Sequence, residues 1–184
     1  MSGPYPAPQL IEPKRHLDER GWFVESYSER DAAARGITDR FVQDNHSLSR
    51  PAFTLRGLHF QVEPHAQSKL VRCIRGRIWD VIVDIRPGSP ERGRSRGWQL
   101  SAENGQQLYI PAGFAHGFLT LEPDCEIVYK VSAPYSGAHD RGIRWDDPAL
   151  GIEWPLPTGA TPLVSSKDAE APTLAEFDRQ EASR

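Results

Sequence analysis

The chain contains 184 residues, of which 38 % are hydrophobic and 26 % are charged. This length and composition fit a single domain over residues 1–184 and exclude an intrinsically disordered chain. The apolar runs are too short to span a membrane, and the net charge of −3 provides no basic excess for binding nucleic acid. The first residues lack the basic and apolar pattern of a secretion signal, so we expect a cytoplasmic protein.

Most of the chain is predicted to form short strands separated by turns, because its 16 prolines and 15 glycines are spread throughout. The predicted strands, in chain order, cover 21–27, 55–61, 69–75, 77–86, 96–101, 106–110, 115–121 and 125–132. Arg75 and Gly76 form a predicted tight turn between two of them. Many short strands with little helix predict an all-β fold, built as a closed barrel or as two packed antiparallel sheets.

Two short peripheral helices are predicted from their capping residues. Ser28 caps the first helix at 29–35, and Gly36 stops it. Thr173 and Glu176 form a capping-box pattern that begins the second helix, at about 173–182.

The predicted strand 77–86 has one fully apolar face, whereas its other face carries Asp80 and Asp84. Two interpretations stay open at this point. The carboxylates either point into a barrel that holds a wet cavity, or they face solvent.

Two groups of reactive or charged side chains are interpreted as structural. Cys73 and Cys125 each lie in an apolar run, and without an export signal or a CxxC motif we expect buried thiols and neither a disulfide nor a zinc site. The arginines at positions 92, 94 and 96 lie in a stretch rich in Gly, Ser and Pro, which favours a solvated hairpin.

The segment 105–120 contains the most specific spacing in the chain. Gly105, Pro111, Gly113 and His116 follow the second cupin motif, in which Thr120 replaces the usual asparagine. The Pro-x-Gly element supplies a tight turn, and the strand after it presents His116. This resemblance places His116 on the inner wall of a cupin-type jelly-roll barrel.

The metal site of metal-binding cupins is incomplete in this sequence. Those proteins have a His-x-His pair in their first motif, and here Gln61 follows His59 in the second histidine's place. His59 and His116 have no clear third ligand, although a divalent metal requires three or four. His65 could replace the missing ligand, but Pro64 beside it favours a turn. We therefore predict a barrel without a metal and without another cofactor.

His59 is the candidate general base. A neutral imidazole, with an ordinary pKa of about 6.5, suits proton abstraction at cytoplasmic pH. A core histidine bonded to a backbone carbonyl is the competing interpretation. Lys69, Tyr129 and His116 favour catalysis, because all three fall on predicted strands of the same barrel. A base, a cation and a phenol around one cavity suit proton removal next to a carbonyl group.

The sequence closely resembles the dTDP-4-dehydrorhamnose 3,5-epimerase family of deoxysugar biosynthesis. The resemblance covers about residues 9–177 and includes many segments in the same order. They are DERGWFVESY (18–27), FVQDNHS (41–47), LRGLHFQ (55–61), KLVRCIRG (69–76), DVIVDIRPGSP (80–90), LSAENGQQLYIPAGFAHGF (100–118), RGIRWDDPALGIEWP (141–155) and SKDAEAP (166–172).

The resemblance implies a substrate and a mechanism. The substrate would be dTDP-4-dehydro-6-deoxyglucose, whose protons at carbons 3 and 5 are acidified by the ketone at carbon 4. His59 would be the base and Asp168 would orient it, much as the aspartate of a catalytic triad does. Lys69 would stabilise the enolate, and Tyr129 would donate a proton on the opposite face.

The resemblance also implies the residues that bind the substrate and the state of assembly. Arg20 and Glu25 would contact the nucleotide, and the family predicts a homodimer in which neighbouring subunits share strands; the aromatic pair Trp22-Phe23 hints at such an interface. The other implied contacts are Gln43 and Asn45, Arg56 and Lys167 at the diphosphate, His116 along the sugar, and Asp140 where the family usually has glutamate.

One departure from the family leaves alternative functions open. The family often has two adjacent tyrosines where this chain has Ala133-Pro134-Tyr135, so Pro134 replaces one ring. This position lies near the substrate in the family, and its change raises the alternative of epimerisation at carbon 3 only. More distant alternatives are a metal-dependent cupin and a sugar-nucleotide-binding cupin without turnover.

Overall fold

The computed structural model describes residues 6–183, so residues 1–5 and 184 of the predicted 1–184 domain lie outside the described part. Twelve strands are present in this part: β1 (Gln9–Ile11), β2 (Arg15–Asp18), β3 (Gly21–Val24), β4 (Gln43–Ser49), β5 (Leu55–Gln61), β6 (Lys69–Arg75), β7 (Arg77–Asp84), β8 (Ser95–Ser101), β9 (Gln107–Ile110), β10 (Phe114–Thr120), β11 (Cys125–Val131) and β12 (Asp140–Gly142). Three α-helices accompany them: α1 (Glu29–Ala34), α2 (Ser166–Ala169) and α3 (Leu174–Ala182), with a 3-10 turn at Pro148–Leu150.

The strands form two five-stranded antiparallel sheets and one hairpin. Sheet I has the strand order β1-β9-β6-β11-β4, and sheet II has the order β12-β5-β10-β7-β8. Strands β2 and β3 pair only with each other. Two packed sheets with these crossovers form a jelly roll, which confirms the predicted all-β, cupin-type fold.

The space between the sheets has an apolar side and a polar side. The apolar side is a core that includes Val71, Ile78, Ile82, Leu108, Phe118 and Ile127 from strands β6 to β11. The inward positions of β4 are polar, since Gln43, Asn45 and Ser47 all line a cavity. Sequence and packing therefore divide the interior into a core that stabilises the sheets and a cavity on the β4 and β5 side.

The outer face of sheet II is covered by the C-terminal part of the chain. Leu58, Val81 and Val83 on this face form a second core with Ile143, Leu150 and Phe177. The ring of Phe177 in α3 meets Phe60 edge to face at 5.1 Å. Strand β7 is consequently buried on both faces.

Burial on both faces decides between the two interpretations of β7. Asp80 is fully buried and Asp84 is 2 % exposed. Asp84 accepts hydrogen bonds from Arg86 and Ser89, at 2.5 Å and 2.7 Å. The solvent interpretation is therefore wrong; the carboxylates are buried, but neither of them is among the residues that line the cavity on the β4 and β5 side.

The eight predicted strands are all present, with ends shifted by a few residues. The largest difference is at 21–27, where β3 ends at Val24. Strands β1, β2, β4 and β12 were not predicted. Strand β4 carries polar residues inward because it lines the cavity, so it lacks the apolar alternation on which the prediction of strands depends.

The predicted helix caps are confirmed. The Ser28 side chain accepts a hydrogen bond from the Asp31 backbone N–H, and the helix ends one residue earlier than predicted. Thr173 and Glu176 form the reciprocal bonds of a capping box at the start of α3. Helix α2 was not predicted, since its four residues are too few to show a helical period.

The groups interpreted as structural are indeed structural. Cys73 and Cys125 are buried free thiols. Arg92 and Arg94 lie in the connection between β7 and β8, and Arg96 lies in β8; Glu91 forms ion pairs with Arg94 and Arg96. Arg92 bonds instead to Asp178 of α3.

Thr120 takes a structural part at the end of the second cupin motif. Its hydroxyl accepts a hydrogen bond from the Thr54 backbone N–H at 2.9 Å and donates one to the Pro51 carbonyl oxygen at 3.2 Å. It thereby joins the turn before β5 to the end of β10. No helix within residues 6–183 is long and apolar enough to cross a membrane.

From the packing of α3 we predict how a substitution in this helix changes the free energy of unfolding. Replacing Phe177 by alanine should lower the free energy of unfolding by about 3–5 kcal/mol, because it removes a buried ring and leaves a cavity. Chemical denaturation monitored by tryptophan fluorescence measures this change. Gln180→Ala on the exposed face of the same helix should change it by less than about 0.5 kcal/mol. Equal stability of the two variants would contradict this role for α3.

Candidate functional site

A cavity of about 570 Å³ opens between the sheets on the β4 and β5 side. Its walls come from sheet I, sheet II and the segment 163–168 that leads into α2. Ten of the twelve predicted site residues line it: Gln43, Asn45, Arg56, His59, Lys69, His116, Tyr129, Asp140, Lys167 and Asp168. The cavity thus brings together residues that lie up to 125 positions apart in the sequence, between Gln43 and Asp168.

His59 and Asp168 are in hydrogen-bond contact at the cavity wall. Nε2 of His59 lies 2.7 Å from Oδ1 of Asp168, whose side chain is 5 % exposed. The other carboxylate oxygen, Oδ2, accepts a hydrogen bond from the Gly57 backbone N–H at 3.2 Å. The two oxygens therefore have separate partners, and the carboxylate holds one orientation against the imidazole.

The same contacts control the charge of Asp168. Burial alone would raise the pKa of this carboxyl group. The hydrogen bonds from His59 and the Gly57 amide favour the ionised form, and they hold the pKa below its ordinary value. Asp168 is consequently an ionised carboxylate, and it accepts a hydrogen bond from the Nε2–H group of the imidazole.

A close approach of β5 and β10 makes this arrangement possible. Gly57 has a φ of +119°, and a Cβ atom there would lie 2.6 Å from Cα of Gly117 and 2.7 Å from the His116 carbonyl oxygen. A Cβ on Gly117 would lie 2.7 Å from the Arg56 carbonyl oxygen. Only glycine at both positions allows this distance between the strands.

Lys69 is a buried cation next to His59. It is 7 % exposed, and its Nζ donates a hydrogen bond to the His59 carbonyl oxygen at 3.2 Å. Burial lowers the pKa of Lys69 to about 8, against the opposing effect of the carboxylates of Asp140 and Asp80. The ammonium group is thus charged at neutral pH but only weakly solvated.

His116 forms a second histidine–aspartate contact deeper in the molecule. Its Nε2 lies 2.9 Å from Oδ2 of Asp80, and both side chains are buried. Burial lowers the pKa of His116, and the nearby Lys69 acts in the same direction, whereas Asp80 opposes both. A neutral ring that donates from Nε2 to Asp80 has its Nδ1 as an acceptor for a hydroxyl group.

Tyr129 projects from β11 into the cavity. Burial raises the pKa of its phenol, and the positive charge of Arg56 acts in the opposite direction. The phenol is therefore protonated at neutral pH and can donate a proton. Arg56 is held by its own hydrogen bonds, from Nε to the Ser49 hydroxyl and from its terminal nitrogen to the Leu48 carbonyl.

The cavity mouth carries a small polar cluster. Nζ of Lys167 lies 2.5 Å from Oδ2 of Asp140, and the Tyr135 hydroxyl lies 3.5 Å from the same oxygen. Further along the wall, the amide of Gln43 donates to Oδ1 of Asn45 at 2.8 Å. These side chains offer donors of both charged and neutral kinds to a ligand.

Arg20 and Glu25 lie away from this cavity. Arg20 is in the turn of the β2–β3 hairpin, where its side chain is 89 % exposed and pairs with Asp18. Glu25 lines a separate groove beside α1. Neither residue is among those of the same chain that line the cavity.

Sequence analysis missed several residues of the site. Gln67 lines the cavity but lies in a loop without any pattern that would indicate it. Tyr135 was noted only as the neighbour of Pro134, and its position in the cavity wall had no signal of its own. Asp80 was noted only as a strand residue, and its partner His116 was not foreseen.

The position of Gln61 differs from that of a metal ligand. Its amide nitrogen donates to the carbonyl oxygens of His65 and Pro134, and its amide oxygen accepts from the Ser136 backbone N–H. His65 lies in the predicted turn, with its N–H bonded to the Val62 carbonyl. Among residues 6–183, no group of three or more His, Cys, Asp and Glu side chains could hold a metal ion.

The arrangement suits proton transfer at carbon next to a ketone. An oriented imidazole can accept a proton, a buried ammonium group can stabilise the enolate oxygen, and a neutral phenol can return a proton. The buried, partly apolar surroundings strengthen the interaction between the ammonium group and the developing negative charge.

Comparisons with known proteins agree with this chemistry. A family model described as dTDP-4-dehydrorhamnose 3,5-epimerase matches residues 6–176. A curated protein of that name from Sinorhizobium fredii is 54 % identical over 169 residues, which covers 92 % of this chain and 86 % of the relative.

Solved structures show the same fold. The epimerase RmlC from Legionella pneumophila, in complex with dTDP-4-keto-L-rhamnose, superposes with a TM-score of 0.88 at 45 % identity, covering 94 % of this chain and 90 % of that one. ChmJ, a 3'-monoepimerase from Streptomyces bikiniensis in complex with dTDP-quinovose, has a TM-score of 0.87 at 36 % identity, covering 95 % and 87 %.

From the surroundings of Lys69 we predict the pKa of its amine and how that pKa changes in two variants. NMR of the lysine side chains should show one amine that titrates near pH 8, and Asp140→Asn should lower that pKa further, because the carboxylate favours the charged amine. Asp44→Asn removes a carboxylate that pairs with Lys130 outside the sheet, and it should leave the pKa of Lys69 unchanged. An unchanged pKa in Asp140→Asn would show that the carboxylate does not act on this amine, and a raised pKa would contradict the sign of its effect.

Proposed function

The chain belongs to the dTDP-4-dehydrorhamnose 3,5-epimerase family, and from this membership and the cavity we propose that it is an isomerase that epimerises dTDP-4-dehydro-6-deoxy-D-glucose. The reaction inverts carbons 3 and 5 and yields dTDP-4-dehydro-L-rhamnose, in dTDP-L-rhamnose biosynthesis. The observation that carries the proposal is the imidazole of His59 fixed by Asp168 beside the buried amine of Lys69.

The proposed mechanism uses these groups in sequence. The ketone at carbon 4 acidifies the neighbouring C–H bonds, and His59 removes a proton from carbon 3 or carbon 5. The electron pair moves onto the ketone oxygen, where the ammonium group of Lys69 stabilises the enolate. Tyr129 then gives a proton to the opposite face of the same carbon, which inverts it.

The remaining polar residues are proposed to bind the sugar nucleotide. Arg56 and Lys167 both line the cavity, and their positive charges suit a diphosphate. His116, with its free acceptor nitrogen, suits a sugar hydroxyl. Gln43, Asn45 and Asp140 offer hydrogen bonds at the mouth.

A second candidate function is epimerisation at carbon 3 alone. Pro134 occupies the cavity mouth segment where the family often has a tyrosine, and the similar structure of a 3'-monoepimerase shows that one fold serves both outcomes. The two candidates differ only in whether the proton at carbon 5 is also exchanged.

Deuterium incorporation tests the proposal and separates its versions. The chain is incubated with the 4-keto sugar nucleotide in deuterated water, and NMR or mass spectrometry measures deuterium at each carbon. We expect label at carbons 3 and 5. Label at carbon 3 alone would select the 3-epimerase, and binding without any label would select a cupin without turnover. Loss of activity on metal removal would select a metal-dependent cupin.

Variants of the base should follow its proposed role. His59→Ala should slow exchange at both carbons about 100- to 10,000-fold, the usual contribution of a general base. Asp168→Asn should slow it as well, because an amide does not stabilise the imidazolium. Gln99→Ala on the exposed part of β8 serves as the control with unchanged rate. Exchange at the native rate in His59→Ala would contradict the mechanism.

We also infer that two copies of the chain assemble as a homodimer. The β2–β3 hairpin exposes Leu17, Trp22 and Phe23 by 81 %, 55 % and 70 %, and these side chains lie on both of its faces. Arg15 fixes the hairpin, since its guanidinium stacks on Trp22 at 4.5 Å and donates to the Ala102 and Glu103 carbonyl oxygens. A second copy that covers the hairpin would bury this apolar surface.

The homodimer would also explain the position of Arg20 and Glu25. Both residues lie on or just after the hairpin, outside the cavity of their own chain. In the proposed dimer, the hairpin of one copy brings its Arg20 and Glu25 to the cavity of the other copy, at the place where we propose that the nucleotide binds. The site would then be complete only in the dimer.

A charge on the hairpin tests the assembly. Gel filtration with light scattering should give twice the chain mass of 20.6 kDa for the wild type, and Phe23→Glu should shift the protein toward the monomer. The variant should also bind the sugar nucleotide more weakly, because Arg20 is no longer delivered. Gln180→Glu adds the same charge on α3 and should remain dimeric. A monomeric wild type with full activity would refute the shared site.

A further inference from the structure

The segment Ala133–Ser136 at the cavity mouth, here called the mouth segment, is held by three glutamine side chains. Gln67 donates to the Ala133 carbonyl oxygen at 2.7 Å. Gln61 donates to the Pro134 carbonyl oxygen at 3.2 Å and accepts from the Ser136 backbone N–H at 2.6 Å. Four successive residues of the segment are thus bonded through their backbones, since Tyr135 donates its N–H to Oε1 of Gln43 at 3.1 Å.

The three glutamines come from separate parts of the fold. Gln43 begins β4, Gln61 ends β5, and Gln67 lies in the loop before β6. All three also line the cavity. The mouth segment is therefore attached to both sheets and to the loop between β5 and β6, and we call these residues the glutamine cradle.

The chemistry of the cradle requires an amide. Each backbone carbonyl of the segment needs a donor and each N–H needs an acceptor, and an amide side chain, with two N–H donors and one acceptor oxygen, supplies both at every pH. The Gln61 amide is the clearest case, because it is 5 % exposed and bonds to His65, Pro134 and Ser136 at once. A carboxylate there would face two carbonyl oxygens without a proton to donate.

The mouth segment carries groups that border the cavity. Tyr135 lines the mouth, and its hydroxyl lies near Asp140, which holds Lys167. Asp140 is also paired with Gln61 across β5 and β12. Displacement of the segment would therefore move the aromatic ring and disturb the contacts of Asp140.

We propose that Gln61 and Gln67, together with Gln43, are positioning residues that fix the mouth segment against the cavity and thereby set the affinity for the sugar nucleotide. This inference rests on the proposed function, which supplies the ligand. The glutamine cradle acts through Tyr135 and the Asp140–Lys167 pair, and Gln61 and Gln67 need not contact the reacting carbons.

The first test is the binding of dTDP to Gln61→Glu, measured by isothermal titration calorimetry with the full chain as purified. At pH 8 the introduced carboxylate cannot donate to either carbonyl oxygen. We expect the dissociation constant to rise about tenfold, the effect of losing a buried hydrogen-bond network at one side of a site. A dissociation constant equal to that of the wild type would overturn the proposal.

The pH dependence separates positioning from general loss of structure. A protonated carboxyl group has one O–H donor and one acceptor, so it can replace part of the amide's hydrogen bonding. The ratio of the variant's dissociation constant to that of the wild type should therefore fall as the pH is lowered from about 8 to about 5.5, a range in which a buried carboxyl group becomes protonated. A ratio independent of pH would mean that the amide's donor is not what fixes the segment.

A second variant covers the case in which Gln61→Glu does not fold. Gln67→Glu lies in a loop and removes only the donor to Ala133, so we expect a smaller rise in the dissociation constant with the same direction of pH dependence. Gln99→Glu adds the same charge on exposed β8 and should bind dTDP as the wild type does. Native affinity in both Gln61→Glu and Gln67→Glu would refute the role of the cradle.

The wild type distinguishes failure of this inference from failure of the proposed function. If the wild type neither binds dTDP nor catalyses exchange, the proposed function is wrong. If the wild type does both and the cradle variants are unaffected, only the cradle proposal is wrong.

Discussion

The close approach of β5 and β10 at Gly57 and Gly117 is the constraint on which the site depends. Without side chains at these two positions the strands pack closely, and in this backbone arrangement the Gly57 amide donates to Asp168 while His59 lines the cavity. Asp168 is contributed by α2, so this contact also joins the inner face of β5 to the C-terminal part of the chain. The geometry of the proposed base is thus set by backbone packing more than by the histidine itself.

The proposed chemistry requires charged side chains that are buried between the sheets. Partners of each charged group lower the free-energy cost of its burial. Lys69, Asp80 and Asp168 would each be strongly unfavourable in an apolar interior without partners. Lys69 lies in the field of Asp80 and Asp140, Asp80 contacts His116, and Asp168 contacts His59. The carboxylates of Asp140 and Asp80 favour the charged amine, which therefore stays cationic at neutral pH although burial lowers its pKa.

The parts of the fold that the sequence predicts well are those with a local signal. The two faces of β7 differ in polarity from one residue to the next, Ser28 and Thr173 cap helices, and the Pro-x-Gly turn precedes β10. Each of these elements could therefore be predicted from adjacent residues. Strand β4 could not, because its inward side chains serve the cavity instead of the core. The inward polar residues that let β4 line the cavity also remove the apolar alternation by which a strand is recognised in a sequence.

Long-range contacts within the site could not be predicted from the sequence either, because they also have no local pattern. Asp168 reaches His59 across 109 positions, and Gln61 reaches Ser136 across 75. No periodicity encodes these distances, and only the resemblance to a family indicated Asp168. Gln67 had neither a pattern nor a motif, so the tertiary structure alone reveals its contact with the mouth segment.

The residue at position 61 marks a difference between this cavity and that of a metal-binding cupin. A cupin that binds a metal uses this position for a ligand, which fixes a charge at the centre of the barrel. Here the side chain points its amide at the backbone of the cavity mouth, and the positive charge at the centre comes from Lys69 instead. A lysine cation is mobile and can lose its proton near pH 8, whereas a divalent metal ion keeps its charge. In the proposed mechanism, activation of the ketone therefore depends on the burial of one amine, and a substitution that exposes this amine to solvent should weaken the activation.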